Sequence, residues 1–130
     1  MKTSNNIVFL IEDELDIMTV YTTALKASDI NVQGFASGKE IMERIKEVQE
    51  GKSEKPALVL LDLVLPDING LEILFALRNN EVTKSVPVFI LSNYNSDALH
   101  NMTAIRPDKF LVKADTSPTQ LSELVKSQLK

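Results

Sequence analysis

The chain contains no cysteine, a single histidine and no glycine among its first 33 residues, and its basic residues are outnumbered, 14 Lys and Arg against 18 Asp and Glu. Without cysteine there is no disulfide framework, thiolate metal site or thiol nucleophile, which suits a reducing compartment. Cytoplasm is therefore the expected location. The lone histidine, His100, has no partner at metal-binding spacing and reads as a solvated or partly packed residue of a helix. The missing early glycines exclude the phosphate loop that nucleotide-dependent oxidoreductases place after a first strand. No apolar run approaches the roughly 20 residues of a membrane-spanning helix, so neither membrane insertion nor export is indicated. A net charge of -4, with Lys and Arg dispersed, argues against direct nucleic-acid binding.

What is present is one domain, residues 1–130, with 44% hydrophobic and 25% charged residues. Ile7-Val8-Phe9-Leu10-Ile11, Ala57-Leu58-Val59-Leu60-Leu61 and Pro87-Val88-Phe89-Ile90-Leu91 are continuous apolar runs, as in strands buried on both faces. Shorter strands are expected over Asn31–Phe35 and at Phe110-Leu111-Val112. Between them, apolar residues recur at helical spacing: Ile17, Tyr21, Ala24 and Leu25; Ile41, Ile45 and Val48; Leu71, Leu74, Phe75 and Leu77. A shorter helix is expected over 96–105. Ser37-Gly38-Lys39-Glu40 and Ser117-Pro118-Thr119-Gln120 match the capping box, the second with proline at the first helical position. Five strands alternating with five helices imply a three-layer α/β sandwich around a parallel sheet.

Ligands of open parallel sheets bind beyond the carboxyl ends of the strands. Four strands end there in Glu12 and Asp13, Asp62, Ser92 and Lys113. Three carboxylates brought together repel one another unless a cation neutralises them, and an all-oxygen set suits Mg²⁺. Lys113 and Ser92 add an ammonium and a hydroxyl suited to a phosphoryl group. Taken singly, each residue is as well explained by a helix cap or by solvation. Their coincidence at one sheet edge makes a site. A carboxylate can itself accept a phosphoryl group, and Asp62 ends the central strand.

These motifs, Ile11-Glu12-Asp13-Glu14, Leu61-Asp62-Leu63-Val64-Leu65-Pro66 with Gly70, Leu91-Ser92 and Phe110-Leu111-Val112-Lys113, resemble the receiver domains of bacterial two-component response regulators. The resemblance covers essentially the whole chain. It implies a flavodoxin-like sheet of order 2-1-3-4-5 and a phosphoacceptor at Asp62. It further implies Mg²⁺, replaceable by Mn²⁺, held by Asp13, Asp62, the Val64 carbonyl and, through a water, Glu12. Ser92, Lys113 and Phe110 then match the phosphoryl-binding and switch positions, Phe110 as an aromatic that turns inward. The implied donor is a sensor histidine kinase or a histidine phosphotransfer protein. With no effector segment before Lys130, output is expected through a downstream protein, or through a phosphorylation-linked dimer formed by 96–105, the fifth strand and the last helix.

Four departures from the family pattern stand out. Ala114 replaces the usual proline after the lysine; a cis Lys113–Ala114 bond is nevertheless expected, at a cost of about 2.5 to 4 kcal/mol. Asn93 stands where a small residue is usual and is expected to slow phosphoryl transfer. Val64 and Tyr94 occupy positions that govern loss of the phosphoryl group, and their bulk predicts a long-lived phosphorylated state. Arg106-Pro107-Asp108 reads as a stiffer turn before the fifth strand. The competing functions are a phosphorylation-independent interaction module and, more remotely, a Mg²⁺ phosphatase, for which no substrate-selecting segment is visible.

Overall fold

The computed structural model describes residues 7–93 and 106–130. Strands β1 (Ile7–Ile11), β2 (Asn31–Phe35), β3 (Leu58–Leu61), β4 (Val88–Ser92) and β5 (Lys109–Val112) form one sheet in the order β2-β1-β3-β4-β5. Every pairing is parallel. Helices α1 (Leu15–Ala27), α2 (Gly38–Gln49), α3 (Gly70–Arg78) and α4 (Pro118–Leu129) are the α-helices among the described residues. That is one fewer than expected; the helix anticipated over 96–105, which includes His100, lies outside them, and so does Tyr94.

The apolar runs form central strands because both of their faces are covered. Phe9, Ile11, Val59, Leu61, Val88 and Ile90 point to one side, where Ile41, Ile45 and Val48 of α2 and Ile73, Leu74 and Leu77 of α3 close a core. Their neighbours Val8, Leu10, Leu58, Leu60, Phe89 and Leu91 point to the other, against Tyr21 and Leu25 of α1 and Leu121 and Val125 of α4. A period of two with both phases apolar thus yields the three layers. Phe75 departs from the sequence reading: it is 57% exposed, because the inward stripe of α3 runs through Ile73, Leu74 and Leu77.

Helix ends follow local chemistry. Ser117 and Gln120 complete a reciprocal capping box, with proline in the first turn of α4. Asn69 and Glu72 form another at α3. At α2 only half of the expected box forms: the Ser37 hydroxyl accepts from Glu40 N–H, while Asp67, from a distant loop, takes the Gly38 and Lys39 N–H groups. At the opposite edge of the sheet, Asp108 Oδ1 accepts from Val88 N–H and from Arg78 Nη2, both at 2.8 Å. Arg78 also donates to the Val86 carbonyl at 2.6 Å, tying the turn before β5 to α3.

Candidate phosphoryl and metal site

The strand register brings the site together. Ile11 pairs with Leu61, so Glu12 and Asp62 leave neighbouring strands side by side, and Ser92 pairs with Val112, immediately before Lys113. Glu12, Asp62 and Ser92 are buried at 1%, 6% and 1% exposure. Carboxylate oxygens of Glu12, Asp13 and Asp62 all lie within 4.8 Å of one another. Lys113 Nζ sits 2.6 Å from Glu12 Oε1 and 3.0 Å from Asp62 Oδ2. The other oxygen of Asp62 accepts from Val64 N–H at 3.1 Å, and Glu12 Oε2 accepts from Glu14 N–H at 3.1 Å. Both oxygens of Asp62 are therefore oriented by different partners.

One ammonium is shared by two buried acids, and its sharing explains the electrostatics. Burial works against the charge of Lys113, but hydrogen bonds to Glu12 and Asp62 outweigh it and hold its pKa above the usual lysine value. Glu12 has a share of one ammonium and a neighbouring like charge. Burial wins there and pushes its carboxyl up, although Lys113 and the Glu14 N–H oppose the shift. Three carboxylates against one ammonium leave two negative charges, the charge a divalent cation would neutralise. The all-oxygen donor set fits Mg²⁺ for the same reason.

The raised value of Glu12 has a definite sign. Protonated Glu12 stabilises the fold below its ordinary pKa of 4.5, and that contribution is lost as pH rises through the higher folded-state value. Glu12→Gln removes this dependence. In metal-free urea unfolding from about pH 4 to about pH 8, the stability of Glu12→Gln relative to wild type is expected to improve as pH rises. A gap that stays constant, or moves the other way, contradicts the electrostatic account.

The remaining sequence-derived positions fall as follows. Val64 is exposed at 51% beside Asp62. Asn93 is exposed and, with Tyr21, Lys113, Ala114 and Pro118, lines a groove of about 610 Å³ next to the pocket. Phe110 is partly buried against the core cluster that includes Leu61 and Ile90. The expected cis bond is corrected: no cis peptide occurs among the described residues, so Lys113–Ala114 is trans. Without proline the cis form has little to support it. The chain turns instead through a 3-10 helix over Lys113–Asp115, and Lys113 still reaches Asp62.

Two residues beyond the sequence-based candidates shape this region. Asp67 anchors the loop after β3, and Asn69 caps α3. The Asn69-Gly70-Leu71-Glu72 spacing was a readable signal for the second. Nothing local points to the first, because its partners are 28 and 29 residues away.

Sheet order, covering helices and an acidic, lysine-bridged pocket at the carboxyl edge define a particular class of α/β domain. Residues 8–126 match the response regulator receiver domain family, and the chain belongs to it. It is 35% identical over 117 residues to the nitrate/nitrite response regulator protein NarL of Escherichia coli K12, covering 88% of this chain and 50% of that protein. It is 24% identical over 127 residues to the chemotaxis protein CheV2 of Helicobacter pylori, covering 97% of this chain and 39% of that one. The chain thus spans half or less of the length of these relatives. Among solved structures, the phosphorylated cyanobacterial phytochrome response regulator RcpA superposes with a TM-score of 0.78 at 26% identity, over 95% of this chain and 91% of that one. The chemotaxis response regulator CheY4 of Vibrio cholerae shares the fold, with a TM-score of 0.80 at 18% identity, over 96% and 99%. No helix among the described residues is long and apolar enough to cross a membrane.

Proposed function

We propose that Asp62 accepts a phosphoryl group from a phosphohistidine on a sensor histidine kinase or histidine phosphotransfer protein, and that the phosphorylated domain signals to a downstream protein. The observation that carries this reading is the buried trio in which Lys113 bridges Glu12 and Asp62 at the sheet edge. An Asp62 oxygen attacks phosphorus, the phosphorus–nitrogen bond breaks as the acyl phosphate bond forms, and the imidazole leaves neutral once its other ring nitrogen is protonated. Asp13, Asp62, the Val64 carbonyl and, through a water, Glu12 would hold the cation. When bound, Mg²⁺ supplies positive charge against the phosphoryl oxygens. Lys113 and the Ser92 hydroxyl face the same oxygens, and the Val64 N–H and Lys113 keep the carboxylate oriented before the reaction.

Once phosphorylated, the strand-four end draws toward Asp62 through Ser92, and Phe110 turns inward, altering the surface around β5 and α4. That surface is where a partner or a second copy of the chain would dock. The whole of 1–130 is read as one receiver domain acting in the cytoplasm, with Asn93 slowing access to Asp62. Incubation with a small-molecule phosphodonor and Mg²⁺ is expected to add one phosphoryl group per chain, seen by intact mass. Its loss should be slower in wild type than in a Val64→Asn, Tyr94→Glu double variant. Failure to gain mass would favour an interaction module that works without phosphate.

A further inference from the structure

The 63–69 loop carries Val64 past the pocket and is fastened at a point remote from it. Asp67 Oδ1 accepts from Gly38 N–H and Oδ2 from Lys39 N–H, both at 2.9 Å. One carboxylate thereby takes two of the donors that the first turn of α2 leaves without helical partners. The Gly38 bond, followed by the Lys39 bond, holds the Asp67 carboxyl below the usual aspartate range. Ile68 lies against the bare backbone of Gly38, where a Cβ would come within 2.7 Å of the Ile68 Cβ.

The other end of the loop is closed on itself. Gly70 N–H donates to the Leu63 carbonyl at 2.8 Å, and Val64 and Asn69 form an antiparallel bridge. Gly70 permits this closure, because a Cβ there would lie 2.6 Å from the Asp62 carbonyl oxygen. A closed loop transmits the position of Asp67 to Val64, and the Val64 N–H holds Asp62 Oδ1.

We propose that Asp67 is a positioning residue: by anchoring the 63–69 loop to α2, it sets the Val64 backbone and the Asp62 carboxylate for cation binding. The proposal rests on the metal reading given above. Mg²⁺ demands near-ideal octahedral geometry, so a loop that samples several positions presents the same ligands less often in a binding arrangement. Residues that orient ligands typically change metal affinity by about 10- to 100-fold.

Mg²⁺ titration of the full chain by calorimetry, with unfolding temperature measured in parallel, tests this. Asp67→Ala is expected to weaken Mg²⁺ binding about 10-fold, and Asp67→Asn, which keeps one acceptor oxygen, to recover part of that loss. The control is Thr83→Ala. Thr83 is buried, donates to the Leu77 carbonyl at 2.8 Å and accepts from Gln49, joining the far ends of α2 and α3. That variant should lower the unfolding temperature yet leave Mg²⁺ affinity within about twofold, since it touches no ligand support. Wild-type affinity in Asp67→Ala, or losses in Asp67→Ala and Thr83→Ala that track lost stability alike, would overturn the proposal. Asp13→Ala separates the levels: it should abolish binding, and wild-type affinity there would overturn the metal reading itself.

Discussion

Asp62→Asn is expected to cut phosphodonor-dependent mass gain by at least ~100-fold, equivalent to about 3 kcal/mol of lost transition-state stabilisation, while the chain remains folded. The substitution exchanges a carboxylate for an amide of nearly the same shape. Its oxygen still accepts from either Val64 N–H or Lys113 Nζ, both of which hold the Asp62 carboxylate. What disappears is the carboxylate that the proposed reaction uses as its nucleophile. Removing one of three clustered negative charges also relieves repulsion, so stability without metal should hold or rise. Chemical reactivity and folding are thereby separated. Near-normal mass gain in a folded Asp62→Asn variant would place the acceptor elsewhere.

The second large effect is thermodynamic. Lys113→Ala is expected to lower metal-free stability at neutral pH by about 3 kcal/mol, since breaking a buried ion pair from one side leaves the other charge uncompensated. Here two acids are left, Glu12 and Asp62, and the Lys113 side chain is itself only 8% exposed. A surface lysine would matter far less. The deficit should shrink toward acid pH, where the stranded Glu12 carboxyl, already pushed up by burial, takes up a proton. Urea unfolding at neutral and acid pH measures it. A loss below about 1 kcal/mol at neutral pH would mean that the trio is solvated rather than buried.

Much of this architecture is legible in the sequence because its elements announce themselves locally. Asn31–Phe35 and Ile7–Ile11 fall where their apolar patterns place them, and Ser117-Pro118-Thr119-Gln120 starts α4 as its capping chemistry dictates. The pocket is legible for a related reason: a buried parallel strand that ends abruptly in an acid, a hydroxyl or an amine stands out against its apolar run. Features that depend on distant chain are not. Asp67 serves α2 rather than its own neighbourhood, Phe75 faces outward because the stripe beside it already fills the core, and Asp108 meets Arg78 thirty residues away. The trans Lys113–Ala114 bond is a further case. The usual proline favours a cis bond, but a 3-10 turn delivers Lys113 to the same carboxylates from a trans one.

A covalent trap reads the proposed phosphoacceptor, Asp62, directly. Borohydride reduces an acyl phosphate to the alcohol with release of phosphate, so a phosphorylated aspartate becomes homoserine. After incubation with phosphodonor and Mg²⁺, reduction and peptide mapping, homoserine is expected in place of Asp62 and at no other aspartate. Homoserine at Asp13 or another aspartate, or unmodified Asp62 in chains that have gained a phosphoryl group, would mean that Asp62 is not the acceptor.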